Sequence, residues 1–93
     1  MPNKNTGPIR MTAAGDVYTD PARIFKIIWV GTTTGADIAQ ITDPENDAIL
    51  WRAQTHVTNT YIPESFDRGL HAPNGFKLHS ISAGVVYVYL NEN

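Results

Sequence analysis

The segment from Asp16 to Gly31, DVYTDPARIFKIIWVG, is a turn followed by a strand that is apolar on both faces, and this constrains the chain most. Over residues 23–30, strand alternation puts Ile24, Lys26, Ile28 and Val30 on one side and Phe25, Ile27 and Trp29 on the other. The final run, Val85 to Leu90, repeats the pattern: Val86, Val88 and Leu90 face one way, Val85, Tyr87 and Tyr89 the other. An antiparallel sheet meeting water on one side would carry polar residues at alternate positions. These two strands do not, so each needs cover on both faces. The inner cover is a second sheet of the same domain. The outer cover is either loops and the N-terminal arm of the same chain or another molecule, as in a subunit interface rich in Trp and Tyr.

Size bears on that choice. A chain of 93 residues makes one domain and buries somewhat over about 60% of the surface its unfolded form exposes, so its core is thin. There is no cysteine to supply a disulfide or a cysteine-based zinc site. Oligomerisation, or docking on a larger body, is the remaining source of stability. The net charge is −2 with 17% charged residues, which supplies no basic patch for phosphates and argues against nucleic acid as a partner. The first 15 residues lack the apolar run of a signal peptide. The longest apolar runs fall far short of the roughly 20 residues of a membrane span. We therefore expect a soluble protein made in a cytoplasm, with no membrane partner.

Turn residues divide the rest. Residues 1–15 hold Pro2, Gly7, Pro8 and Gly15 among Asn, Lys and Thr, with Ile9 and Met11 the only sizeable apolar groups, and read as an extended arm with one short strand. From residue 16 to 93, β-branched and aromatic runs separated by turns predict an all-β fold, a small antiparallel β-sandwich of Ig-like or jelly-roll-like type. Strands are expected at 17–19, 23–30, 37–42, 48–54, 60–62, 68–71, 76–81 and 85–90. Asp20-Pro21, Gly31-Thr-Thr-Thr-Gly35 and Asp43-Pro-Glu-Asn-Asp47 punctuate them. Asn74-Gly75 is a strong hairpin signal, so residues 76–81 should fold back on the preceding strand.

No residue constellation signals catalysis. His56, His71 and His79 have no spacing suited to a shared zinc ion. The loop Asp43–Asp47 has oxygen enough for calcium but neither the spacing nor the glycine of an EF-hand, and reads as a turn in which Asp and Asn bond their own backbone. Glu64, Asp67 and Asp47 offer carboxylates without any spacing that implies a glycosidase pair. The 31–35 loop lacks the Lys and helix of a phosphate loop. Trp29, Trp51, Tyr61, Tyr87 and Tyr89 have the chemistry of a sugar platform, although the alternation around Trp51 turns it toward the core. No catalytic residue, metal or cofactor is therefore assigned.

The order of these pieces carries a resemblance. Val17-Tyr-Thr-Asp-Pro21, Lys26-Ile-Ile28, Gly31-Thr-Thr-Thr-Gly35 and an Asp-initiated loop before Ile49-Leu50 form the first half. Ile62-Pro-Glu-Ser-Phe66, Arg68-Gly-Leu70, Asn74-Gly75 and the Val/Tyr strand 85–90 form the second. Over about residues 16–90 the chain resembles small β-sandwich virion proteins of tailed bacteriophages, which include capsid decoration (cement) proteins, head-fibre bases and tail or baseplate accessories. It departs from them in the polar stretch 54–60 and a longer N-terminal arm. The resemblance implies a non-enzymatic protein at the capsid surface, bound over junctions of the major capsid protein, with a homotrimer matching local three-fold axes. Phe25, Trp29, Tyr87 and Tyr89 are the expected subunit contacts, and Ile9 and Met11 of the arm the contacts to capsid or neighbour. The alternative is a carbohydrate- or receptor-binding module of the phage tail or baseplate.

Overall fold

The computed structural model describes residues 8–31, 37–54 and 61–90. Residues 1–7 of the expected arm, most of the 31–35 loop, and the polar stretch with His56 lie outside them. The described chain is all β, as expected: β1 (Ile9–Met11), β2 (Val17–Tyr18), β3 (Ala22–Val30), β4 (Ile38–Thr42), β5 (Ile49–Gln54), β6 (Tyr61–Ala72), β7 (Phe76–Ile81) and β8 (Val85–Leu90). They form two four-stranded sheets, β1-β8-β3-β6 (sheet I) and β2-β7-β4-β5 (sheet II). The antiparallel pairs nest: β1 with β8, β2 with β7, β3 with β6, β4 with β5. A long antiparallel ribbon rolled across two sheets produces that nesting, so the sandwich has the jelly-roll rather than the Ig-like order.

The core lies between the sheets. Ile24, Ile27, Trp29, Val86 and Val88 of sheet I meet Ala39, Ile41, Trp51, Phe76 and Leu78 of sheet II, all buried. Trp29 and Trp51 meet edge to face, ring centroids 6.4 Å apart at 87°, an arrangement that sets the positive edge of one ring on the negative face of the other. Both indoles satisfy their N–H at the margins of the core. Trp29 Nε1 donates to the Ala83 carbonyl at 2.8 Å, and Trp51 Nε1 to Glu64 Oε1 at 3.3 Å. Burial of an indole is favourable only if that donor keeps a partner.

Three sequence expectations need correction. Asn74-Gly75 does not make a hairpin: β6 lies in sheet I, whereas β7 pairs with β2 and β4 in sheet II. The turn carries the chain across the sandwich, with Gly75 N donating to the Ala72 carbonyl at 3.1 Å. Gly75 has φ 85°, and a Cβ there would run into the Tyr18 carbonyl oxygen, so the glycine is required by close packing of the β2 backbone. Next, the expected strands 60–62 and 68–71 are one strand, β6, passing through Pro63. β6 is an edge of sheet I, where a missing N–H costs no ladder bond if it faces outward.

The third correction concerns which side chains share a face. Ile24 pairs with Leu70, but Lys26 pairs with Ser65, so residues 66–69 bulge opposite Phe25. Gly69, at φ 83°, makes room there for the Arg23 side chain, whose Nη1 donates to the Arg68 carbonyl at 3.2 Å. The irregularity resets the alternation. Ile24, Ile27 and Trp29 all point inward, while Lys26, Ile28 and Val30 point outward.

Candidate functional site

Register pairs across sheet I place a set of apolar side chains on its outer face. Arg10, Tyr87, Ile28 and Pro63 stand in one row across β1, β8, β3 and β6. Tyr89, Lys26 and Ser65 form the next row, and Val85 lies opposite Val30 on the other side. Ile28, Val30, Val85 and Tyr87 are half-buried and Tyr89 is 36% exposed. Lys26 Nζ sits 5.9 Å from the centroid of the Tyr89 ring, within range for a cation–π attraction. The two-faced character expected of the strands at 23–30 and 85–90 is thus present, through Ile28, Val30, Val85, Tyr87 and Tyr89.

The six expected contact residues divide. Tyr87 and Tyr89 lie on this outer face. Phe25 is half-buried inside the bulge, where its ring end packs near Gly69. Trp29 is fully enclosed in the core, so it offers no surface to a partner; the reset alternation turns it inward. Met11 is 2% exposed and Ile9 packs against the core, since both register opposite inward Val86 and Val88. In this chain they are the buried side of an edge strand, not a projecting arm. Among the described residues the sequence reading missed Arg10 and Lys26. Both are opposite the tyrosines in register, and strand pairing, which is non-local, was the missing signal.

The other candidates have structural employment. The Asp43 carboxylate is buried and accepts from Glu45 N at 2.8 Å and from Asn74 Nδ2 at 3.1 Å. Ala48 N donates to Asn46 Oδ1 at 2.9 Å, and Asp47 N donates to the Asp43 carbonyl at 2.8 Å. This is the self-bonded turn expected of 43–47, and it closes the β4–β5 hairpin. Asp47 is ion-paired with Lys77 at 3.1 Å. His71 and His79 stand on opposite sheets, and His56 lies outside the described residues. Glu64 is tied to Trp51, which leaves Asp47, Glu64 and Asp67 in three separate settings.

The outer face of sheet II is different. Its outward rows carry Ser80, Gln40 and Arg52, and beside them Val17, Lys77, Thr42 and Ile49. Val17 and Ile49 are exposed at 48% and 59%, but Lys77 and Thr42 separate them across the sheet. Searched against protein-family models, curated proteins and solved structures, the chain matches none.

Proposed function

We propose that this chain is a virion structural protein of a tailed bacteriophage, a capsid decoration protein that binds over junctions between major capsid subunits. It would be made in the host cytoplasm and reside on the capsid surface. The observation that supports this reading is the outer face of sheet I, where Ile28, Val30, Val85, Tyr87 and Tyr89 stand together. An aliphatic centre with tyrosines beside it is the composition of an interface core, and its surroundings carry few charges. Fold-level analogy adds to this, because jelly rolls recur in viral capsid domains. Binding only the assembled shell stabilises it by mass action and requires no chemistry from the chain.

The alternative, a carbohydrate- or receptor-binding module of the tail, has the same fold-level support, since lectin domains also use jelly rolls. It loses two of its platform side chains, because Trp29 and Trp51 are enclosed between the sheets. The test is co-sedimentation of the purified chain with shells assembled from the major capsid protein encoded beside it. Saturable binding in fixed ratio to capsid subunits, abolished by Tyr87→Ala with Ile28→Asp, is expected. Absence of binding, together with binding on a glycan array, would overturn the reading in favour of the alternative.

A further inference from the structure

The charges of this chain are segregated between its two sheets. Arg10, Arg23 and Lys26 occupy outward positions of sheet I, and no carboxylate shares an outward register position with them on β1, β3 or β8. The exposed carboxylates Asp20, Glu45 and Asp47 lie instead at one end of the sandwich. That end is assembled by contacts among its turns: Gly75 packs on Tyr18 and Thr19, just before Asp20, and Asn74 bonds Asp43 at the base of the β4–β5 turn. Lys77 neutralises only Asp47 there. One molecule therefore presents an apolar face with a basic margin and, elsewhere, an acidic end.

We propose that a second copy of this chain docks head to tail, its acidic end bearing Asp20, Glu45 and Asp47 set against Arg10, Arg23 and Lys26 of sheet I. The inference rests on the reading of sheet I as a contact face and names what covers it. A two-fold arrangement of sheet I on itself would bring the three cations of each copy into one contact with no carboxylate between them, and like-charge juxtaposition opposes that. Head-to-tail contact joins unlike surfaces. Such contacts close into rings when the rotation permits, which accounts for a trimer where a two-fold contact would give a dimer.

The experiment is light scattering of the full chain over a concentration series, with circular dichroism to establish that each variant is folded. Three variants are compared with the wild type: Arg10→Glu with Lys26→Glu, Asp20→Lys with Glu45→Lys, and all four together. The wild type should exceed a dimer in mass at high concentration. Each double variant should weaken association by roughly tenfold or more, and the fourfold variant should recover it, because the charges are exchanged rather than removed. Two results would overturn the proposal. One is a wild type that stays monomeric throughout; capsid co-sedimentation is then a separate readout of whether sheet I docks on the shell. The other is association untouched by the Asp20 and Glu45 changes but lost on Tyr87→Ala, which would keep sheet I as the contact and remove the head-to-tail arrangement.

Discussion

The outer faces of the two sheets answer the same physical problem in opposite ways. Sheet II follows the rule for a sheet that meets water: in β4, Ala39 and Ile41 go in while Gln40 goes out. Sheet I breaks it, for β3 and β8 send Ile28, Val30, Val85 and Tyr87 outward while Ile27, Trp29, Val86 and Val88 fill the core. Both faces belong to one small domain, so composition alone does not separate them. The difference lies in which strands occupy the centre of each sheet, and it marks sheet I as the side adapted to a second surface.

The comparison can be pressed first from the inside. Trp29→Ala removes the edge-to-face contact with Trp51 and a buried side chain, and urea unfolding should show a loss of about 3–5 kcal/mol. A loss below about 1 kcal/mol would mean that Trp29 is not the packing centre described here. Next come matched acidic substitutions on the two outer faces. Ile28→Asp should weaken self-association by roughly tenfold or more in sedimentation equilibrium, whereas Gln40→Asp on sheet II should leave it unchanged. Equal effects would erase the distinction between the faces.

A smaller effect is expected at Thr42. Its hydroxyl is fully buried and has no hydrogen-bond partner, in the row between Lys77 and Ile49. Thr42→Val keeps the shape and removes the orphaned polar group, so stability should rise by about 1 kcal/mol in the same urea titration. A decrease would indicate that the hydroxyl is satisfied. The smallest effect belongs to Lys77→Met. Its ion pair with Asp47 is largely solvent-accessible, the two side chains being 28% and 63% exposed, and its loss should change stability by no more than about 0.5 kcal/mol.

Much of this fold was legible in the sequence, because strands and turns are local. The Val17 strand, the proline turn at 43–47, the two-faced runs at 23–30 and 85–90 and the all-β class follow from side-chain type and punctuation. Pairing is not local, and errors arose there. Asn74-Gly75 reads as a hairpin from its dipeptide, yet the chain crosses to sheet II because Gly75 is packed against the Tyr18 carbonyl. Alternation through Phe25 predicts a Trp29 that shares its face, and the bulge opposite residues 66–69 moves Trp29 to the core. Of the candidate site, the tyrosines were visible as the outer half of a strand. Their basic neighbours Arg10 and Lys26 became visible only through register.

The most direct measurement of the central claim is hydroxyl-radical footprinting of the full chain, read residue by residue by mass spectrometry across a dilution series. If sheet I is covered by a second copy, Tyr87 and Tyr89 will be protected at high concentration and gain reactivity on dilution, while His79 on sheet II will react equally throughout. Reactivity of the two tyrosines that does not change with concentration would contradict it.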